Sequence, residues 1–153
     1  MKLKALLYNL IISLGAGGMA AWLISGFEET YNSLRLPPLA PPLKAYSVIW
    51  GILYLLMGIS AYLIYISDSP GKETALSGYW VQLGVSFIWP LLFFRSEAFL
   101  LSFFWILLLL TLILSIMAAF WRIRPAAGWL QTPHLIWIGF ACYLNLGVWL
   151  LNK

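Results

Sequence analysis

The chain has 153 residues, of which 63% are hydrophobic and 9% charged, with a formal net charge of +4. Ordinary soluble domains carry about 25% charged and roughly 45–50% apolar residues, and a globule this small exposes too much surface to dissolve with so few polar groups. The figures exclude a soluble enzyme, a disordered tail and, with Cys142 as the single cysteine, a disulfide scaffold or a multi-cysteine metal site.

Lipid is the expected solvent for most of the chain, and a helix needs about 20 apolar residues to cross it. Five uncharged stretches satisfy this: Ala5–Phe27, Ala45–Ser67, Thr74–Phe94, Ala98–Trp121 and Pro125–Asn152. Each is continuously apolar, whereas barrel strands alternate. The expected architecture is an all-α membrane protein, a five-transmembrane-helix bundle forming a single transmembrane domain over 1–153, with a Pro-rich loop between helices 1 and 2. Nine Lys and Arg residues are spread along the chain with no basic stripe, so they read as flanks of apolar segments and no nucleic-acid partner is expected.

The first stretch opens with Lys2 and Lys4 and carries the small run Gly15-Ala16-Gly17-Gly18, a layout like a signal peptide. Apolar character continues through Trp22, Leu23 and Ile24, which gives a full span, and a retained helix is expected. The pairs Ala16/Ala20 and Gly17/Ala21 allow close approach of another helix.

The segment from Glu28 to Lys44 is the one long connection. Four of the six residues from Pro37 to Pro42 are proline, so much of its backbone is pre-set and little entropy remains to lose. Glu28–Leu34 is expected to form a short surface helix. The loop reads equally as a rigid connector or as a stiff lid. The connections Asp68–Glu73, Arg95–Glu97 and Arg122–Arg124 are short, which makes successive helices antiparallel neighbours. The N-terminal end of the bundle then holds five cations and the loop end four, too small a bias to set orientation.

Chain direction brings many aromatics to the loop end. The second helix supplies Tyr46, Trp50 and Tyr54, the last two one turn apart on a face. The third supplies Trp89, Pro90, Phe93 and Phe94. The fifth span, longer than needed, carries Pro133 and is expected to kink, tilt or start late; its end supplies Tyr143, Asn145 and Trp149, while His134 follows Pro133 near its start. Aromatics near helix ends ordinarily form an interfacial belt, the expected role of Trp22, Trp80, Trp121, Trp129 and Trp149. Trp50, Trp89, Trp105 and Trp137 lie deeper. Singly each reads first as packing; together they point to a cavity lined by flat π-faces.

No Asp, Glu, Lys or Arg lies within a span, which argues against proton relays and charge-coupled transport. Gln82 and Asn145 must face the interior, because an unpaired amide in hydrocarbon costs several kcal/mol (roughly 2–7); interhelical hydrogen bonding is their expected role. His134 has no second histidine or nearby carboxylate for a conventional metal site, so no metal is assigned. No nucleophile–base arrangement is present, and no catalytic residue is assigned.

Four blocks resemble the translocator protein family, also called tryptophan-rich sensory proteins or peripheral-type benzodiazepine receptors: Tyr31-x-x-Leu34-x-x-Pro37-x-Leu39-x-Pro41-Pro42; Trp50-Gly51-x-Leu53-Tyr54-x-x-Met57-Gly58; Gln82-Leu83-x-x-Ser86-x-x-Trp89-Pro90-x-x-Phe93-Phe94; and Pro133-His134-x-x-Trp137-x-x-Phe140-Ala141-x-x-Leu144-Asn145. The resemblance implies a five-helix bundle, often dimeric, with a ligand cavity opening toward the first loop. It implies binding of porphyrins and haem, of sterols in some members, and of synthetic isoquinoline carboxamides, with light-dependent porphyrin degradation in some bacterial members. By matching position the pocket takes Trp50, Ser86, Trp89, Pro90, His134, Trp137 and Ala141, with lid contact from Tyr31. Ser86 stands where the family usually has Asn, His134 where it has Tyr, and Trp105 where many members are acidic. Thr30 and Leu39 replace loop aromatics, and Leu36 replaces the loop Lys. No cation follows Tyr143 until Lys153, so the sterol motif is missing.

The resulting expectation is an integral membrane binding protein, receptor- or sensor-like, for a flat hydrophobic ligand of the tetrapyrrole class. Its ligand residues are Tyr31, Trp50, Tyr54, Ser86, Trp89, Pro90, His134, Trp137, Ala141 and Asn145. No cofactor is obligatory, and porphyrin or haem enters as ligand. Membrane lipids and a second copy in a homodimer are the expected partners, and a bacterial cell membrane the expected location. A light-dependent porphyrin-degrading enzyme and a transporter of tetrapyrroles or other lipophilic molecules are the alternatives.

Overall fold

A computed structural model describes residues 2–153. Its elements are all helical: α1 (Lys2–Ile24), α2 (Glu28–Ser33), α3 (Leu43–Tyr65), α4 (Lys72–Pro90), α5 (Phe99–Ile123), α6 (Pro125–Leu130) and α7 (Thr132–Leu151). Five segments are long and apolar enough to span a bilayer: Lys2–Ile24, Leu43–Tyr65, Lys72–Arg95, Phe99–Ile123 and Pro125–Leu151. The short surface helix expected after Glu28 is α2, whose first turn holds Glu28 and Glu29, where carboxylates suit the positive end of the helix dipole.

Prolines shape three of the segments. Pro42 precedes α3 in an extended conformation and Pro125 opens α6, positions where the missing N–H costs nothing. In the fifth span Pro133 sits in the first turn of α7, so the long helix begins after a break at Gln131. Pro90 is different. It cannot donate to the carbonyl one turn back, and the chain widens into a π-turn over Leu91–Arg95, with Ser96 N donating to Leu91 O five residues earlier. Phe93 and Phe94, both within that turn, are buried against Trp89.

Helix α1 packs mainly on α3, α5 on α7 and on α4. A Cβ at Gly17 would collide with the Tyr54 ring, and one at Gly58 would press on Leu10 and Ser13. Glycine at both positions lets α1 and α3 lie close, so the small residues of α1 serve contact within the chain. The interior has two apolar clusters. One gathers Tyr31, Tyr46, Trp89, Phe93 and Phe94 toward the loop; the other gathers Tyr54, Met57, Tyr79 and Phe120. Trp50 packs against both. Large apolar side chains such as Ile11, Trp22 and Ile136 point outward, Trp22 being 73% exposed, as a lipid-facing surface requires.

Every buried polar residue among those described is a Ser, Asn, Gln or His. Most are paired across helices: Ser13 Oγ donates to Tyr54 O at 2.7 Å and Ser60 Oγ to Ala127 O at 2.7 Å. With no bulk water available inside, such bonds replace the lost hydration.

Candidate functional site

The Pro-rich loop lies over one end of the bundle and is held at four points. The Tyr31 hydroxyl donates to Pro41 O at 2.7 Å, and the Tyr143 hydroxyl donates to Pro38 O at 2.9 Å. Asn152 accepts from Arg35 N and donates to Arg35 O, both at 2.9 Å. Pro37 sits against Gly147, where a Cβ would come within 2.7 Å of the proline ring. Within the loop, Ala40 N donates to Pro37 O at 3.2 Å and Leu39 has φ 67°, the positive φ that a type II turn needs at its third residue. Tyr31 is almost wholly buried, and burial pushes its phenol above the ordinary tyrosine value, so it stays a donor. The loop therefore covers the bundle end.

Beneath it the aromatic rings are turned inward and meet one another. Tyr31 and Tyr46 are edge-on at 5.8 Å, Tyr46 and Trp137 edge-on at 5.6 Å. Trp50 stacks on Trp89 with centroids 5.8 Å apart and planes 26° from parallel, and Trp89 stacks on Phe93 at 5.5 Å. Trp89 Nε1 donates to Asn145 Oδ1 at 3.2 Å, and Ser102 Oγ donates to the same oxygen at 2.9 Å. Asn145 thus fixes the ring that forms one wall.

The walls enclose little space. The central cleft, bordered by Trp50, Tyr54, Ser86, Trp89 and Pro90, holds about 20 Å³, room for roughly one water molecule. Drug-sized ligands occupy pockets of roughly 300–1,000 Å³. The rings that were expected to line a hollow fill it instead.

Of the ten expected ligand residues, five border this cleft. His134 lies behind Trp50, its ring edge-on to the indole at 5.8 Å. Tyr31 meets the cleft-lining rings of Tyr46 and Phe94, Trp137 that of Tyr46, Asn145 that of Trp89, and Ala141 is buried in the same core without bordering the cleft. The sequence reading missed the α1 side: Gly17, Ala20, Ala21 and Ile24 border the cleft, as do Ser47 and Phe94. The small-residue spacing in the first span was the available signal; its partner face was not.

Four polar atoms around Trp50 and Tyr46 are buried with no hydrogen-bond partner: Ser86 Oγ, Gln82 Oε1, His134 Nε2 and Trp137 Nε1. Gln82 Nε2 lies 3.1 Å from His134 Nδ1 and 3.5 Å from Gln131 Oε1. An amide N–H donated to Nδ1 puts the histidine proton on Nε2. The cluster then offers N–H groups of His134 and Trp137, the Ser86 hydroxyl and one amide oxygen, all neutral. Buried polar groups without partners are costly, about 1–3 kcal/mol each, and are uncommon in folded proteins.

A bundle of apolar helices with a plugged aromatic interior and neutral, unpaired polar groups defines a multi-pass integral membrane protein with a candidate ligand cleft. The chain belongs to the TspO/MBR family, whose model matches residues 8–150. It is similar to a translocator protein homolog of Schizosaccharomyces pombe, 32% identical over 129 residues covering 82% of this chain and 79% of the relative. It is 34% identical over 126 residues to the translocator protein of Ovis aries, covering 80% and 75%. The tryptophan-rich protein TspO of Archaeoglobus fulgidus is 28% identical over 154 residues, covering 99% of each.

Proposed function

We propose that the protein is a membrane receptor for a flat hydrophobic ligand of the tetrapyrrole class, bound between Trp50 and Trp89. One observation carries the reading: two near-parallel indoles face each other over a cleft whose inner wall holds the unpartnered hydroxyl of Ser86. A planar guest that parts the rings regains stacking on both faces, and its polar atoms satisfy groups now left unpaired. Trp50 is the movable wall, being half-buried and lying at the junction of the two cores, whereas Trp89 is pinned by Asn145. Binding therefore couples to separation of α3, which carries Trp50, from α4, which carries Trp89. Porphyrin or haem is a ligand here, with no obligatory cofactor. A homodimer in a bacterial cell membrane is the setting proposed with it.

Titration of protoporphyrin IX into the protein in nanodiscs, followed by tryptophan fluorescence, tests the reading. Saturable quenching is expected, weakened at least tenfold in Trp50→Ala. Linear, unsaturated quenching that is identical in the variant overturns it.

A further inference from the structure

The cleft between the two indoles adjoins a second hollow nearer the loop. That hollow, about 160 Å³, is bordered by Glu28 and Lys44 and shares Ala21, Ile24 and Ser47 with the central cleft. The two form one groove along the α1–α3 seam. The groove runs from the end of the bundle down to Tyr54, and its floor is aromatic. Behind the central cleft, buried Tyr31 packs on its lining rings Tyr46 and Phe94.

Charge is found at one end only. Lys44 lies 3.9 Å from Glu28, with the two side chains 85% and 52% exposed. A contact this long between solvated groups holds the ammonium weakly. Other cations at this end are not on the groove: Lys153 lies over the Trp149 ring at 5.4 Å, and neither Arg35 nor Arg95 borders either hollow. From Lys44 to Trp50 is six residues of helix, about 9 Å along the axis. The deep end offers Ser86 Oγ without a partner and no charge. The groove thus has an aromatic, neutral interior and a single available cation at its mouth.

We propose that Lys44 is a specificity residue that receives the carboxylate of a flat lipophilic acid lying in the α1–α3 groove, with Glu28 as the competing anion that the ligand's acid displaces. The inference rests on the reading above, that the cleft takes a planar guest, and adds the chemical class of its outer end. The body of the ligand is apolar and ring-shaped, and its acidic group stays at the membrane surface, where a charge need not be desolvated.

The test compares protoporphyrin IX, a diacid, with its dimethyl ester, in phosphatidylcholine nanodiscs, by fluorescence titration. Lys44→Gln is expected to weaken the diacid about two- to fivefold and leave the ester unchanged, the range for an exposed charge pair. Glu28→Gln is expected to tighten the diacid by a similar factor and again leave the ester unchanged. Both side chains are exposed, so neither substitution threatens the fold. If wild-type protein binds both compounds and the two variants treat acid and ester alike, the inference fails while the planar-guest reading stands. If wild-type protein binds neither compound, both fail.

Discussion

Asn152 clasps Arg35 by both ends of its carboxamide: Oδ1 accepts from the Arg35 amide and Nδ2 donates to the Arg35 carbonyl, each at 2.9 Å. The side chain does for the loop what a neighbouring strand would do, and it ties residue 35 to the end of α7. A net contribution of about 0.5–1.5 kcal/mol per bond makes this a clasp that can open. Asn152→Ala is expected to raise hydrogen exchange at the Arg35 amide about tenfold or more, with the α5 core amides unchanged. Unaltered protection at Arg35 would show that the loop is held elsewhere.

The close seam between α1 and α3 depends on Gly17 and not on its neighbour Gly15, around which a Cβ would meet nothing within 4 Å. Gly17→Ala drives a methyl into the Tyr54 ring and is expected to destabilise the protein by about 1–3 kcal/mol. Gly15→Ala is expected to stabilise it by up to about 1 kcal/mol, since alanine is the better helix former. Thermal unfolding in detergent separates the two. Equal shifts would mean that α1 does not pack on α3 through this face.

Ser86 sets stability against binding. Its hydroxyl is buried without a partner, so Ser86→Ala should raise ligand-free stability by about 1 kcal/mol. The same change should weaken protoporphyrin IX, because the ligand loses a polar contact. A variant that is less stable than wild type without ligand would mean that the hydroxyl is already satisfied.

Asn145 holds two donors at once, Trp89 Nε1 and Ser102 Oγ. Asn145→Leu leaves the indole N–H buried and unpaired, at a cost of about 1–3 kcal/mol. The freed ring should also lose its fixed orientation, lowering the anisotropy of tryptophan fluorescence at low temperature. A Trp89→Phe background removes the orphaned donor and should recover most of the loss. Failure of that rescue would place the cost in overpacking around residue 145.

Composition and charge spacing were sufficient to reveal five long helices, because crossing lipid imposes a length and a polarity that can be read one segment at a time. The short helix after Glu28 was also legible, as was an irregularity in the fifth span, expected from Pro133 as a kink, a tilt or a late start and found as a break at Gln131 between α6 and α7. The inward placement of Gln82 and Asn145 followed from the cost of an unpaired amide in hydrocarbon. The π-turn at Leu91–Arg95 was not legible. Proline announces a broken bond but not how the following turn accommodates it. Nor were Gly147, Asn152 and Tyr143 recognisable as anchors of a loop more than a hundred residues earlier, for nothing local marks them.

What the sequence by itself determined was the solvent, the number of crossings and the convergence of aromatic rings at one end. These are sums over segments, and each segment carries its own share. Tertiary structure decided whether those rings enclose space or fill it. Trp50 and Trp89 stand on different helices, and their stacking at 5.8 Å depends on how close α3 and α4 come. Packing distance is a property of pairs of surfaces, and no single stretch of sequence contains it.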